Sequence, residues 1–150
     1  GISTVGVAVS DLVDNANFIA GTKVTGYGDA ASQVVVDQTS TNTSAVSGSA
    51  IVNFLGMTTA YTSAAATKSI LIGGTFANNT TNNVNLTVTI YDNSASSEVA
   101  IAQRIPVPTA SSFVISDAGK TVLESNDEIR VYCDVLGGID ATLSILTGVS

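Results

Sequence analysis

Histidine and tryptophan are missing from this chain of 150 residues, cysteine and methionine occur once each, and proline occurs twice. Each shortage excludes a chemistry. Without histidine there is no Ser-His-Asp triad and no histidine-ligated zinc. A single cysteine, Cys133, makes neither a zinc ribbon nor an internal disulfide. Charge is scarce as well. Charged residues make up 11% of the chain, against roughly 25% in ordinary soluble domains. Five basic residues stand against twelve acidic ones, a net charge of −7, so the basic footprint of a nucleic-acid binder is absent. No apolar run approaches the length needed to cross a bilayer. The opening Gly1-Ile2-Ser3-Thr4-Val5 has neither the basic start nor the apolar stretch of an intact secretory signal, although a mature chain whose signal has been removed would read the same way.

What is present is apolar and hydroxylated. Apolar residues reach 45%, and 19 Thr and 18 Ser supply most of the polar material. That is enough to build a core at a length suited to one domain, with room for an arm. The clearest pattern is alternation. In the run 84–91, Val84, Leu86, Val88 and Ile90 face one way and Asn85, Thr87, Thr89 and Tyr91 the other. In 128–135, Ile129, Val131, Cys133 and Val135 are expected to point inward, with Glu128, Arg130, Tyr132 and Asp134 outward. The run 141–146 continues the series, and 68–76, 99–105, 112–116 and 120–123 read as further strands. One polar and one apolar face per strand is the signature of antiparallel sheets packed on one side. The polar stretches 78–83 and 92–97 read as turns, Gly137-Gly138 as a tight hairpin between the last two strands, and Pro106 and Pro108 as marks of an edge strand or its exit. Seven or eight short strands at this spacing predict a β-sandwich.

Residues 1–50 differ from the rest. No charge lies between Asp37 and Lys68, and 38–50 is a low-complexity run of Ser, Thr, Asn, Ala and Gly. Val5, Val7 and Val9 hint at one extended strand, Val34-Val35-Val36 forms a short apolar run, and 11–19 allows a short helix that Asn15 and Asn17 weaken. Two readings stay open: an arm that meets neighbouring subunits, or extra edge strands of the same domain. The domain organisation expected is therefore an N-terminal arm over 1–50 and a sandwich over 51–150.

Candidate chemistry is thin. Asp11 and Asp14 lie three apart and Asp127-Glu128 are adjacent, but paired-carboxylate hydrolysis of sugars calls for an aromatic-lined cleft, and aromatics are 5% of the chain. Asp127 after Ser125-Asn126 reads as turn chemistry, with a weak calcium site as the alternative. Lys68, Arg104, Lys120 and Arg130 are dispersed rather than gathered into a phosphate cradle. Gly73-Gly74 has no following Lys-Ser or Lys-Thr, so it reads as a bulge or a close backbone approach. Cys133 reads as a small buried hydrophobe, with a reactive thiol as the alternative. The triplets beginning at Asn42, Asn78, Asn79 and Asn85 match glycosylation acceptors by composition alone. No catalytic, cofactor-binding or metal-ligating residue is assigned. The surface is more informative: an exterior of Thr, Ser, Asn and Ala suits burial against other subunits, whose interface cores are poor in charge.

The stretch Thr58-Thr59-Ala60-Tyr61-Thr62-Ser63-Ala64-Ala65-Ala66-Thr67-Lys68-Ser69-Ile70-Leu71-Ile72 resembles the opening of small virion proteins of tailed bacteriophages, which often read xxYTxPAxTxxxVxxIxxxNT. A Thr/Val strand like 84–91, a segment like 101–108, an element like 123–131 and a final strand like 140–146 follow in the same order. The likeness covers about residues 57–148, with Ser63 where Pro is usual and Asn126 where Gly is usual. It implies a phage structural protein of marine or cyanophage type, made in the host cytoplasm and located in the virion, with no enzymatic activity.

The combined expectation is all-β: an antiparallel sandwich, immunoglobulin-like or jelly-roll, with an extended N-terminal arm. As function, the resemblance implies capsid decoration or cementing, or else a neck, tail or fibre-base role. The partners implied are further copies of the chain, as a trimer, and virion proteins such as the major capsid protein, with no nucleic acid, membrane or cofactor. A secreted carbohydrate-binding or adhesive module is the rival, and it would have to use Tyr27, Tyr61, Tyr91 or Tyr132, of which Tyr91 and Tyr132 are expected to point outward.

Overall fold

The computed structural model describes residues 7–15, 18–19, 21–29, 33–38, 52–116 and 120–149, and among them every regular element is a strand. The chain divides into two compact units, Gly1–Gly56 and Met57–Ser150.

The first unit holds four short strands. β1 (Leu12–Asp14) pairs antiparallel with β4 (Asn53–Leu55), and β2 (Val24–Tyr27) with β3 (Val34–Val36). Val13, Val24 and Leu55 are buried, as are Asp11 and Thr22. The expected short helix over 11–19 is replaced by β1: Leu12 and Val13 find cross-strand partners in Leu55 and Phe54, and the Asn residues between them and Ile19 weaken a helix. Val7 to Ser10 are loop and turn rather than strand, and Ser10 takes a positive φ of 80°. Val5 and nearly all of the low-complexity run 38–50 lie outside the described residues.

The second unit is the sandwich. One sheet has the order β5 (Thr58–Thr62), β11 (Glu128–Cys133), β7 (Val84–Asp92), β8 (Ser97–Val107). The other is built on β6 (Lys68–Asn78), which pairs along one side with β12 (Ile139–Val149) and along the other with β10 (Thr121–Leu123) and β9 (Ser112–Ile115) in succession. All pairings are antiparallel. A common core lies between the sheets: Leu71, Phe76, Ile115 and Leu123 from one, Val84, Leu86, Val88, Ala102, Val107 and Ile129 from the other. The alternation read in 84–91 places Val84, Leu86 and Val88 there as expected, with Ile90 half-buried at its margin.

Alternation in β6 changes phase at its glycine pair. Ser69 and Leu71 are buried before it, Gly74, Phe76 and Asn78 after it. Opposite, Ile145 pairs with Leu71 and Ser144 with Gly73, so Ile72 is the extra residue of a β-bulge. Gly73 is also a close approach: a Cβ there would stand 2.9 Å from the carbonyl oxygen of Ile115 in β9. Both readings of this pair therefore describe it.

Two expectations are corrected. Gly137-Gly138 does not close a hairpin between the last two strands, because β11 and β12 belong to different sheets. Residues 134–138 carry the chain from one layer to the other, with Gly137 at φ 61°. The same crossing ends β11 at Cys133, so Val135 lies in the connection, 38% exposed, instead of pointing inward. In an immunoglobulin arrangement the last two strands neighbour each other. Here the final strand joins β6, and the order departs from that arrangement.

Candidate interaction surfaces

The two outward faces of the sandwich are built differently. On the face of the β5-β11-β7-β8 sheet, register brings Arg130 opposite Thr89 and Thr59, and Glu128 opposite Tyr91, with Glu98 beyond it on β8. The Arg130 guanidinium lies over the Tyr91 ring, 3.8 Å from its centroid, a cation–π contact. Its Nε donates to Glu128 Oε2 at 2.8 Å, and Nη1 stands 3.8 Å from Glu98 Oε1. Thr59 donates to Glu128 Oε2 at 2.9 Å and Thr89 to Glu98 Oε1 at 2.6 Å. The hydrogen bond from Arg130, followed by that from Thr59, holds the Glu128 carboxyl below the usual carboxylate range, so it stays ionised further into acid. This lattice joins all four strands. It also buries Thr89, which alternation places outward: at 5% exposure its hydroxyl is covered by Glu98. Arg130, expected to be one dispersed charge among several, is the centre of the lattice.

The opposite face, on β10, β6 and β12, has no such lattice. A cross-strand row runs Val122, Ile70, Leu146, with Val122 56% and Leu146 51% exposed. A second row runs Val114, Thr75, Thr142, and Ser144 stands beside Gly73. Among the described residues its charge lies at the margins, in Lys120 just before β10, in the Lys68–Glu124 ion pair at 3.3 Å and in Asp140 opposite Ala77. The result is a neutral surface of methyl and hydroxyl groups.

The carboxylates singled out from the sequence do not pair. Asp127 is buried at 5% exposure, its Oδ2 accepting from Glu124 N (2.8 Å) and Oδ1 from Asn93 N (3.1 Å). Its backbone oxygen accepts from Ser63 N, while Asn126 takes φ 66° and donates to Ser63 O. This is turn chemistry, with Asn126 in the left-handed conformation that Asn tolerates better than most residues. Glu128, next in sequence, lies out on the sheet face. Asp11 accepts from Ala8 N at 2.8 Å, whereas Asp14 ends β1 exposed. Among the described residues no three His, Cys, Asp or Glu side chains gather where they could hold a metal ion.

Of the tyrosines, Tyr61 shares a hydrogen bond with Ser69 and Tyr27 donates to Val7 O. Tyr132 is half-buried, and one face of Tyr91 is covered by Arg130. Cys133 is half-buried, and burial pushes its thiol up, away from the reactive thiolate. Ser63 and Ser69 are both buried and bond to each other at 3.0 Å. Among the described residues no buried side-chain nitrogen or oxygen lacks a partner. No helix among them is long and apolar enough to cross a membrane.

Residue reasoning missed the Arg130 lattice and the Val122–Ile70–Leu146 row, because both depend on register between strands distant in sequence. The local signals were the shared outward phase of Glu128 and Arg130, and that of Val114, Val122 and Leu146 in otherwise alternating runs. Compared with protein families, curated proteins and solved structures, the chain matches none.

Proposed function

We propose that this protein is a virion structural component of a tailed bacteriophage, a capsid decoration or cement protein that works by covering and being covered. The sequence resemblance over residues 57–148 supports the virion assignment. The observation that carries the mode of action is the neutral outer face of β10, β6 and β12, where Val122 and Leu146 remain half exposed and charge is kept to the rim. Interface cores are depleted of charge in this way. The other face is already engaged in its own ion-pair lattice, which leaves the neutral face as the one suited to a permanent partner.

Recombinant protein mixed with expanded capsids is expected to co-sediment, and Val122→Lys with Leu146→Lys is expected to abolish that binding while the circular dichroism spectrum stays unchanged. Quantitative mass spectrometry of virions is expected to find copies comparable in number to the capsid protein. A handful of copies would move the protein to the neck or tail. Absence from virions would refute the assignment.

A further inference from the structure

We infer that β12 is a self-pairing edge, through which two copies of this chain join antiparallel into one continuous sheet. A sheet edge presents unpaired N–H and C=O groups and is normally blunted by short length, bulges, proline or charge. Three of the four edges of the sandwich are blunted. β9 and β10, which share one side of β6, are four and three residues long. β5 has five residues, and Ala60 is an extra residue in its pairing with β11. β8 is long but carries Pro106, two register shifts against β7 and Arg104 at φ 51°.

β12 has none of these protections over most of its length. It spans Ile139–Val149 without proline, and its only charge is Asp140 near the start. The shift between Ser144 and Ile145 is caused by Ile72 on β6, so β12 itself runs regularly from Ile139 to Thr147, where Gly148 at φ 72° interrupts it. Among the described residues only β6 lies along it.

A second copy is the occupant that fits. Among the described residues, the only comparably long, regular and unprotected edge that this strand could meet on a second copy is the same strand. Parallel pairing in register would set Asp140 against Asp140, whereas antiparallel pairing separates the two carboxylates. With the two-fold axis at Thr142, Asp140 of each copy stands opposite Ser144 of the other, where a hydroxyl can donate to the carboxylate. Thr142 then meets Thr142, a favourable cross-strand pair. All of these side chains lie on the outer face of the sheet, so pairing would join two such faces into one surface, with the Asp140 carboxylates held by the partner's Ser144. The pairing holds whether or not the assembly is a virion, so its test is separate from capsid binding.

The test uses the full chain with Cys133→Ser as background. Directly opposed residues in an antiparallel pair have Cα atoms roughly 4.5–5.5 Å apart, within disulfide reach. Thr142→Cys is therefore expected to form a covalent dimer under copper–phenanthroline oxidation. Ser144→Cys, whose two copies would be offset by about 13 Å along the strands, is expected not to. By sedimentation, Thr142→Lys should weaken the dimer roughly tenfold or more through like-charge opposition, and Ser144→Lys, facing Asp140, should tighten it. A monomer at every concentration, a trimer unaffected by Thr142→Lys, or equal cross-linking at positions 142 and 144 would each overturn the inference.

Discussion

Asp127 shows how one carboxylate can look catalytic in sequence and be structural in place. It sits beside Glu128, yet its two oxygens are consumed by the N–H groups of Asn93 and Glu124, tying the start of β11 to the turn after β7. Replacing it with alanine removes two part-buried hydrogen bonds to a charged acceptor, whose N–H donors sit on exposed residues that water can reach, a loss of about 1 kcal/mol or somewhat more. Asp127→Ala is therefore expected to lower the urea midpoint by a corresponding amount, and Asp127→Asn, which retains one acceptor oxygen, by less. Its role was legible because Ser-Asn-Asp before a strand is turn chemistry. The fate of Glu128 was legible in part: Arg130, two residues on along the same strand, shares its outward phase, whereas Thr59 lies on β5, far away in sequence.

At the scale of elements, β6 organises one sheet. It carries β12 on one flank and β9 and β10 on the other, and its glycine pair lets β9 close in. A Cβ at Gly73 would press on the Ile115 carbonyl, a backbone atom that can yield only if β9 moves. A Cβ at Gly74 would meet the tips of Leu143 and Phe76 side chains, and the Leu143 tip can turn aside. Gly73→Ala is thus expected to destabilise by about 1–3 kcal/mol, in the range of overpacked cores, and Gly74→Ala by less. Chemical denaturation of the two variants compares them directly.

Strand positions were readable because alternation survives in 84–91 and 128–133, and Pro106 correctly marked β8 as an edge. The connection through Gly137 is ambiguous in sequence because a Gly-Gly pair permits a tight turn and a layer crossing equally. Only the partner of β12 distinguishes them.

At the scale of the molecule, every residue of the sandwich core comes from the second unit, Met57–Ser150. A fragment of residues 57–150 is accordingly expected to fold alone, with a β-type circular dichroism spectrum and one cooperative unfolding transition. A fragment that stays unfolded would mean that the first 56 residues supply stability the core lacks. By itself the sequence determined the all-β class, the positions of most strands, the inward set on β7 and the poverty of charge, because period-two alternation and composition are local properties of the chain. Tertiary structure alone decided which strands became neighbours, and with them the Arg130 lattice, the neutral row across β10, β6 and β12, and the open edge of β12. Pairing between distant strands is settled by which registers bury the most apolar surface while satisfying the backbone, and that competition is played out only in three dimensions.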